Sequence, residues 1–407
     1  MTPQDPFDPR GEPKQLERRR RPRREAETID ERELGGRDPL DAQVPGPPPV
    51  TGALARFRVR AALGLRPAVA PSLLFIPLGL LLGPVALNVA TRETLLHLDP
   101  VVAAALAVLG VFVGLAFGRR PPAPRVLSAA AVEATLTVVI VSGTVWYLMS
   151  TWQVSLGAPA PVLALAMGVV ASVSSAPLVG RSAAASLASA IADVDDVLPI
   201  ALGAAALVFV HPHGPVEAAL LGGWSILFAL AIAFAANLLF ATSGPAERVG
   251  FLVGAVALIA GCAAYVGASG LLAGFAAGLL WSRTRHASAL LDQHLGKLQH
   301  PLTVALLAIA GAAAAPSMLV VWLAVPLVIF RLTGKLLGAG MVARLTGAGP
   351  PSEIGVALVA PGIVGVAFAL QVAQVHEPSG AVIASAAALA TVANEAIGLA
   401  VRPAERP

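Results

Sequence analysis

Three carboxylates stand close together in IADVDDVLPI, residues 191–200, in the middle of a long apolar stretch. A charge at the centre of a membrane costs about 3 kcal/mol even on lenient scales, so ionisable residues there usually serve a function. Two adjacent carboxylates in a desolvated site, such as Asp195 and Asp196, can hold either a proton or a bare monovalent cation. The pattern therefore predicts an ion-binding site in which Asp193 is a possible auxiliary group. The alternative is a buried ion pair that only joins helices.

The cation expected to face these acids is Lys335, in FRLTGKLLGAGMVARL, residues 330–345. Arg331 lies one turn earlier, and Arg344 is expected at the membrane surface. A lysine near the end of a span can also extend its amine to that surface. Because nine residues, about 13 Å of helix, separate Lys335 from Arg344, the spacing favours a partner inside the membrane.

Two apolar stretches contain residues that should interrupt helices. They are Ser174, Ser175 and Pro177 in MGVVASVSSAPLVG, and Pro361 and Gly362 in VALVAPGIVGVAF. Backbone groups freed at such a break must be satisfied by protein or by a water-lined cavity. Two interrupted spans in corresponding halves of a chain indicate the binding site of a transporter. We expect the serine hydroxyls and the freed backbone carbonyls to complete the shell around a bound cation.

The composition is that of a membrane protein. Hydrophobic residues make up 56% of the 407 residues and charged residues 13%, with a mean hydropathy of +0.77, whereas soluble domains carry about 25% charged residues. Apolar stretches of membrane-spanning length predict an all-α polytopic protein with about 12 transmembrane helices. The predicted spans are 69–91, 101–118, 126–149, 160–179, 183–211, 216–241, 249–266, 268–282, 298–315, 317–343, 352–375 and 379–401.

The basic residues between these spans predict the orientation of the chain. With twelve spans and an inside N-terminus, Arg92 is the only Lys or Arg in the outer loops. The inner loops are rich in both, which is the asymmetry that the positive-inside rule expects. Splitting the apolar region near Gly267 into two spans is needed to keep Arg283 inside. Both termini are therefore predicted to be cytoplasmic.

The first 66 residues differ from the rest of the chain. They hold 14 of the 28 Lys and Arg and 11 of the 24 Asp and Glu, including the run RRRRPRR, and they contain little apolar sequence. We expect residues 1–66 to be a disordered basic cytoplasmic tail. The arginine run favours contact with anionic lipid over nucleic acid in a membrane-embedded chain. Residues 67–402 would form the transmembrane domain, and 403–407 a short second cytoplasmic tail.

Several stretches together resemble bacterial monovalent cation:proton antiporters of the sodium/proton exchanger type, from about Pro71 to Arg402. ADVDDVLPI resembles the ion-site segment of that family and is the most specific match. IPLGLLLGPVALNV resembles its opening span, GASGLLAGFAAGLLWSR its recurrent Gly-Ala-x-Leu-Ala-Gly-Leu span, FRLTGKLLGAGMVARL its tenth span, and TVANEAIGLAVR its last helix.

The resemblance implies an inverted-repeat antiporter fold in which spans 4 and 11 are broken and cross. Mobile core spans would lie within 126–211 and 317–401, and scaffold spans of a homodimer within 69–118 and 216–315. Asp196 would be the principal cation and proton carboxylate, and Asp195 would pair with Lys335 when no cation is bound. Exchange would be electrogenic, with two protons against one cation (Na⁺, with K⁺ or Li⁺ as alternatives). The bacterial inner membrane is the implied location, and neither a cofactor nor enzyme activity is expected.

The sequence departs from the family pattern in span 11. It reads APGIVG there, so Ile363 occupies a position that is acidic in many relatives. Glu133 and Glu395 are deep enough to line the core, although a hydrogen bond to a neighbouring helix explains either one equally well. Two other functions remain open: a transporter of the same fold for an organic anion, and a membrane sensor that transports nothing.

Overall fold

The structure is a computed structural model that describes residues 70–175, 183–211, 214–284, 287, 290–291, 296–347, 349–377 and 379–401. Its helices are α1 (Pro71–Leu82), α2 (Arg92–His97), α3 (Asp99–Arg119), α4 (Pro124–Thr151), α5 (Ala160–Ser172), α6 (Ala183–Ala192), α7 (Val197–Val210), α8 (Pro215–Thr242), α9 (Pro245–Tyr265), α10 (Gly270–Ser282), α11 (Gly296–Ala312), α12 (Met318–Thr346), α13 (Pro351–Leu358), α14 (Ile363–Val375) and α15 (Ser379–Val401). The two predicted tails and Pro177 lie outside the described residues.

The helices are those of a multi-pass membrane protein. In the described part of the chain, six helices are long and apolar enough to cross a membrane, namely α3, α4, α8, α9, α12 and α15. In lipid a backbone must bond its own polar groups, so long apolar sequences of this kind fold as helices. The prediction of an all-α membrane protein is confirmed for this part of the chain, where the sole β-type pairing is one isolated bridge.

The apolar region near Gly267 forms two helices, as the sequence predicts. Helix α9 ends at Tyr265, and Gly267 then adopts a φ of +64°, a left-handed conformation that glycine reaches without strain. The Ser269 hydroxyl accepts a hydrogen bond from the Leu272 backbone N–H at 3.2 Å and so caps the start of α10. The local sequence thus ends one helix and starts the next within a few residues.

Neighbouring helices approach closely where glycines face each other. A Cβ atom added to Gly274 on α10 would lie 2.1 Å from the Ala107 carbonyl oxygen on α3, and one added to Gly110 on α3 would lie 2.1 Å from the Leu271 carbonyl oxygen on α10. Small residues at such a seam allow two membrane helices to pack backbone against backbone. The same principle joins α4 to α12, the pair of helices that carries part of the site.

Span five differs from the prediction of one continuous helix. Helix α6 ends at Ala192, residues 193–196 form turns, and α7 begins at Val197. Pro199 explains the break, because it cannot donate to the carbonyl of Asp195 and its ring crowds that carbonyl. The backbone tightens instead, and Val197 N–H donates to the Val194 carbonyl at 3.1 Å. Pro199 therefore places the acidic cluster in a turn.

Two further interruptions meet in space. Helix α5 ends at Ser172, and the backbone continues in an extended conformation at Val173. On the other side, α13 ends at Leu358 and α14 begins at Ile363, with Pro361 and Gly362 between them. Residues Ser174 and Pro361 then form an antiparallel bridge. The serine-rich stretch and the proline–glycine stretch are therefore direct neighbours.

Candidate cation-binding site

Extended backbone from the two interruptions forms the floor of the site. The Ser175 backbone N–H donates to the Ala360 carbonyl at 2.9 Å, and the Gly362 backbone N–H donates to the Val173 carbonyl at 3.3 Å. A Cβ atom on Gly362 would lie 2.9 Å from the Ser174 carbonyl oxygen. A residue without a side chain is thus required where the two segments touch. These bonds satisfy part of the backbone that the helix ends leave without partners.

Arg331 on α12 joins the two interrupted segments. Its guanidinium donates to the Ala171 carbonyl at the end of α5, and to the Val359 and Ala360 carbonyls just beyond α13, at 3.3 and 3.4 Å. The Arg331 side chain is almost fully buried. Helix C-termini carry partial negative charge, and a planar guanidinium offers several donors in a fixed fork. One cation therefore compensates two helix ends at once.

Lys335 lies on α12 one turn after Arg331 and is completely buried. Its ammonium lies 2.9 Å from Glu133 Oε1 and 3.6 Å from Asp195 Oδ2. It also donates to the Ser172 carbonyl at the end of α5. The structure thus brings Lys335 to Asp195 as the sequence predicts. Its shortest contact with a carboxylate, however, is with Glu133.

Glu133 on α4 reaches this position because α4 and α12 pack very closely. A Cβ atom on Gly334 would lie 2.9 Å from Thr137 Cα, and one on Gly338 would lie 3.0 Å from Glu133 Cγ. These two glycines flank Lys335 on α12 at small-x-x-x-small spacing. The Thr137 hydroxyl donates to Glu133 Oε1 at 3.2 Å. Glu133 therefore has two fixed partners inside the protein.

The acidic cluster lies beside this pair of charges. The Ser174 backbone N–H donates to Asp195 Oδ2 at 3.1 Å, and Asp196 is also buried, whereas Asp193 is half-buried. Within the described chain, one carboxylate oxygen of each aspartate and the Ser174 hydroxyl are buried without a hydrogen-bond partner. Such unpaired oxygens are the ligands that hard cations require.

The predicted site residues come together only in part. Asp195 is in direct contact with Lys335 and with the Ser174 backbone N–H, and Asp196 follows it in the same turn. Ser175 donates its backbone N–H to the other interrupted segment. The described residues contain no group of three His, Cys, Asp or Glu side chains close enough to hold a metal ion together.

Backbone carbonyls freed at the two interruptions have donors within the protein, and their expected part in the cation shell stays a prediction. Five carbonyls at the two interruptions already accept hydrogen bonds from Arg331, from Lys335 or from the bridging backbone; they belong to Ala171, Ser172, Val173, Val359 and Ala360. Two basic side chains on α12 thus compensate the helix ends.

Sequence reasoning left two readings of Glu133 open, and the structure shows the hydrogen bond to a neighbouring helix, from Lys335 on α12. An acidic residue in an otherwise apolar span was visible, yet its partner was not. The available signal was the glycine pair around Lys335, because close packing at glycines would bring whatever α4 carries against the lysine. Glu395, the other deep glutamate, lies on α15 and is also buried.

Comparison with known proteins shows a likeness in fold. No protein-family model matches the chain, and no curated protein matches it by sequence. The solved structure of the sodium proton antiporter MjNhaP1 from Methanocaldococcus jannaschii at pH 8 superposes with a TM-score of 0.54 and 15% identity, covering 82% of this chain and 90% of that one. The chain therefore has the fold of a sodium/proton antiporter.

Proposed function

We propose that this protein is a secondary active antiporter that exchanges a monovalent cation for protons. The observation that carries the proposal is the buried pair Asp195 and Asp196, each with an unpartnered carboxylate oxygen, beside the ammonium of Lys335. Such a site can hold either a proton or a small cation, and binding of one lowers the affinity for the other. The likeness in fold to a sodium proton antiporter supports the same reaction. Na⁺ is the proposed cation, with K⁺ and Li⁺ as alternatives.

Each site residue has a proposed part in the exchange. Asp196 is the principal carboxylate and binds the cation or the proton. Asp195 binds the cation together with Asp196, and it turns to Lys335 when the cation leaves. The unpartnered Ser174 hydroxyl supplies a neutral ligand, while Ser175 supports the backbone around it. Asp193 serves as an auxiliary acid at the half-buried edge of the cluster.

The remaining expectations from the resemblance form part of the same proposal. The interrupted spans 4 and 11 cross at the Ser174–Pro361 bridge and move with the core spans against a scaffold that forms a homodimer. The protein lies in a bacterial inner membrane with twelve spans and cytoplasmic termini. Exchange is electrogenic, with two protons against one cation. An imposed membrane potential would then change the direction of cation-driven proton movement in vesicles.

An organic anion is a weaker candidate for the substrate. Both basic side chains at the site, Arg331 and Lys335, already donate to carbonyls or carboxylates. An anion would have to displace those internal partners at a cost in buried charge. The oxygen-rich acidic cluster suits a cation instead.

The test is proton movement in proteoliposomes that enclose a pH-sensitive dye. We expect Na⁺, K⁺ or Li⁺ added outside to change the internal pH, and we expect choline to have no effect. Asp196→Asn should abolish the response while the protein still inserts. Asp99→Asn, which changes an exposed aspartate at the start of α3, is the matched control and should respond like the wild type. Retained exchange in the Asp196 variant would refute the assignment, and a response to no cation would favour a sensor.

A further inference from the structure

Lys335 has a second carboxylate partner that the exchange reaction does not itself require. Glu133 contacts the ammonium with both oxygens, at 2.9 and 3.1 Å, whereas Asp195 lies at 3.6 Å. A charge-assisted hydrogen bond is normally about 2.7–2.9 Å long. The ammonium is therefore bonded to Glu133 and only drawn toward Asp195.

The position of Glu133 is fixed by its surroundings. The Thr137 hydroxyl donates to the same oxygen that is closest to Lys335. Glu133 also packs against Gly338, where an added Cβ atom would lie 3.0 Å from Glu133 Cγ. A buried side chain in a close helix seam has little room to move, so packing and the Thr137 hydrogen bond fix Glu133 in this position.

We propose that Glu133 is a positioning residue that holds Lys335 away from Asp195 and thereby sets how strongly a cation binds. This inference rests on the proposed exchange function and adds to it the residue that governs cation affinity. An ammonium and a monovalent cation compete for the same Asp195 carboxylate, the ammonium beside Oδ2 and the cation at the unpartnered Oδ1. With Glu133 in place, the cation displaces only a long, weak contact. Without it, Lys335 could move fully onto Asp195 and become a much stronger competitor.

The inference makes a specific kinetic prediction for Glu133→Gln, which keeps the shape of the side chain and removes its charge. We expect the KM for the cation to rise at least about tenfold, the size expected when Lys335 gains one charge-assisted hydrogen bond to Asp195. The maximal rate should change much less, because the exchanging carboxylates are untouched. Uptake would be measured in proteoliposomes over a wide range of cation concentrations at a fixed pH.

A milder variant guards against misfolding of Glu133→Gln. Thr137→Val keeps the volume of the side chain and removes only the hydroxyl that orients Glu133. It should raise the KM in the same direction by a smaller factor. Glu133→Asp retains the charge on a shorter side chain, and it should recover part of the wild-type affinity. Glu217→Gln removes the charge of an exposed glutamate in the first turn of α8 and is the control, with the KM expected to stay unchanged.

The outcomes separate this inference from the proposed function. Absence of cation-driven proton movement in the wild type would refute the exchange function itself. Wild-type exchange together with an unchanged KM in folded Glu133→Gln and Thr137→Val protein would overturn the role of Glu133 alone. A fall in maximal rate or in protein yield without a rise in KM would show a merely structural role and would equally overturn it.

Discussion

Replacing Arg331 tests whether one side chain holds the two interrupted segments together. In Arg331→Met, the carbonyls of Ala171, Val359 and Ala360 lose the guanidinium donors. The Ala360 oxygen keeps the Ser175 backbone N–H at 2.9 Å, so of the three buried carbonyls only those of Ala171 and Val359 lose the donor that they have. An unsatisfied buried polar group costs about 1–3 kcal/mol. The expected loss in the free energy of unfolding is therefore about 2–6 kcal/mol.

The loss would be measured as a shift in thermal unfolding of the detergent-solubilised protein, followed by tryptophan fluorescence. Arg344→Met is the matched control, because Arg344 lies in the last turn of the same helix and is exposed. It should shift the unfolding midpoint little. Arg331→Lys retains the charge but cannot reach both segments with a single ammonium, so an intermediate stability is expected.

Two results would refute this reasoning. If Arg331→Met unfolds at the same temperature as Arg344→Met, the guanidinium bonds contribute nothing to the joint between the segments. If Arg331→Lys is as stable as the wild type, positive charge near the helix ends is sufficient and the forked geometry of the guanidinium is not needed.

Two further predictions concern packing at the site. Gly334→Ala should destabilise the protein by about 1–3 kcal/mol, because its Cβ atom would lie 2.9 Å from a backbone carbon of α4. The control is Gly340→Ala on the same helix, whose Cβ atom would meet nothing within 4 Å. This variant should instead gain up to about 1 kcal/mol of stability from helix propensity. A gain in thermal stability for both variants would contradict the close α4–α12 packing. We expect a disulfide to form on mild oxidation in the double variant Ser174→Cys, Pro361→Cys, made in a Cys262→Ala background, so that both free thiols are lost. Antiparallel bridge partners lie about 4.5–5.5 Å apart between Cα atoms, which is within the range of a disulfide. Two thiols that remain titratable would show that the segments do not meet.

The membrane character of the fold was predictable from local sequence. Long apolar stretches leave the backbone no alternative to helix in lipid, and the glycines near Gly267 marked where one helix ends and another begins. The break within span five was not predicted, although Pro199 supplied the signal four residues after Asp195. Proline kinks are common in membrane helices, so Pro199 alone did not show that the helix would end before it and leave the acidic residues in a turn.

The chemistry of the site was also visible in part. Three acids in an apolar stretch and one deep lysine are rare enough to be recognised without a structure, because each would be costly in lipid unless paired or used. The sequence by itself therefore determined which charged residues lie in apolar stretches and where two of the three helix interruptions occur.

Only the tertiary structure decided how those charges are shared. Lys335 is paired mainly with Glu133, and Arg331 with the carbonyls of two helix ends, whereas Asp195 and Asp196 keep unpartnered oxygens. Glu133 and Lys335 are 202 positions apart, and no local pattern links them. Their contact arises because the glycines of α12 let α4 approach, and such packing depends on the path of the whole chain.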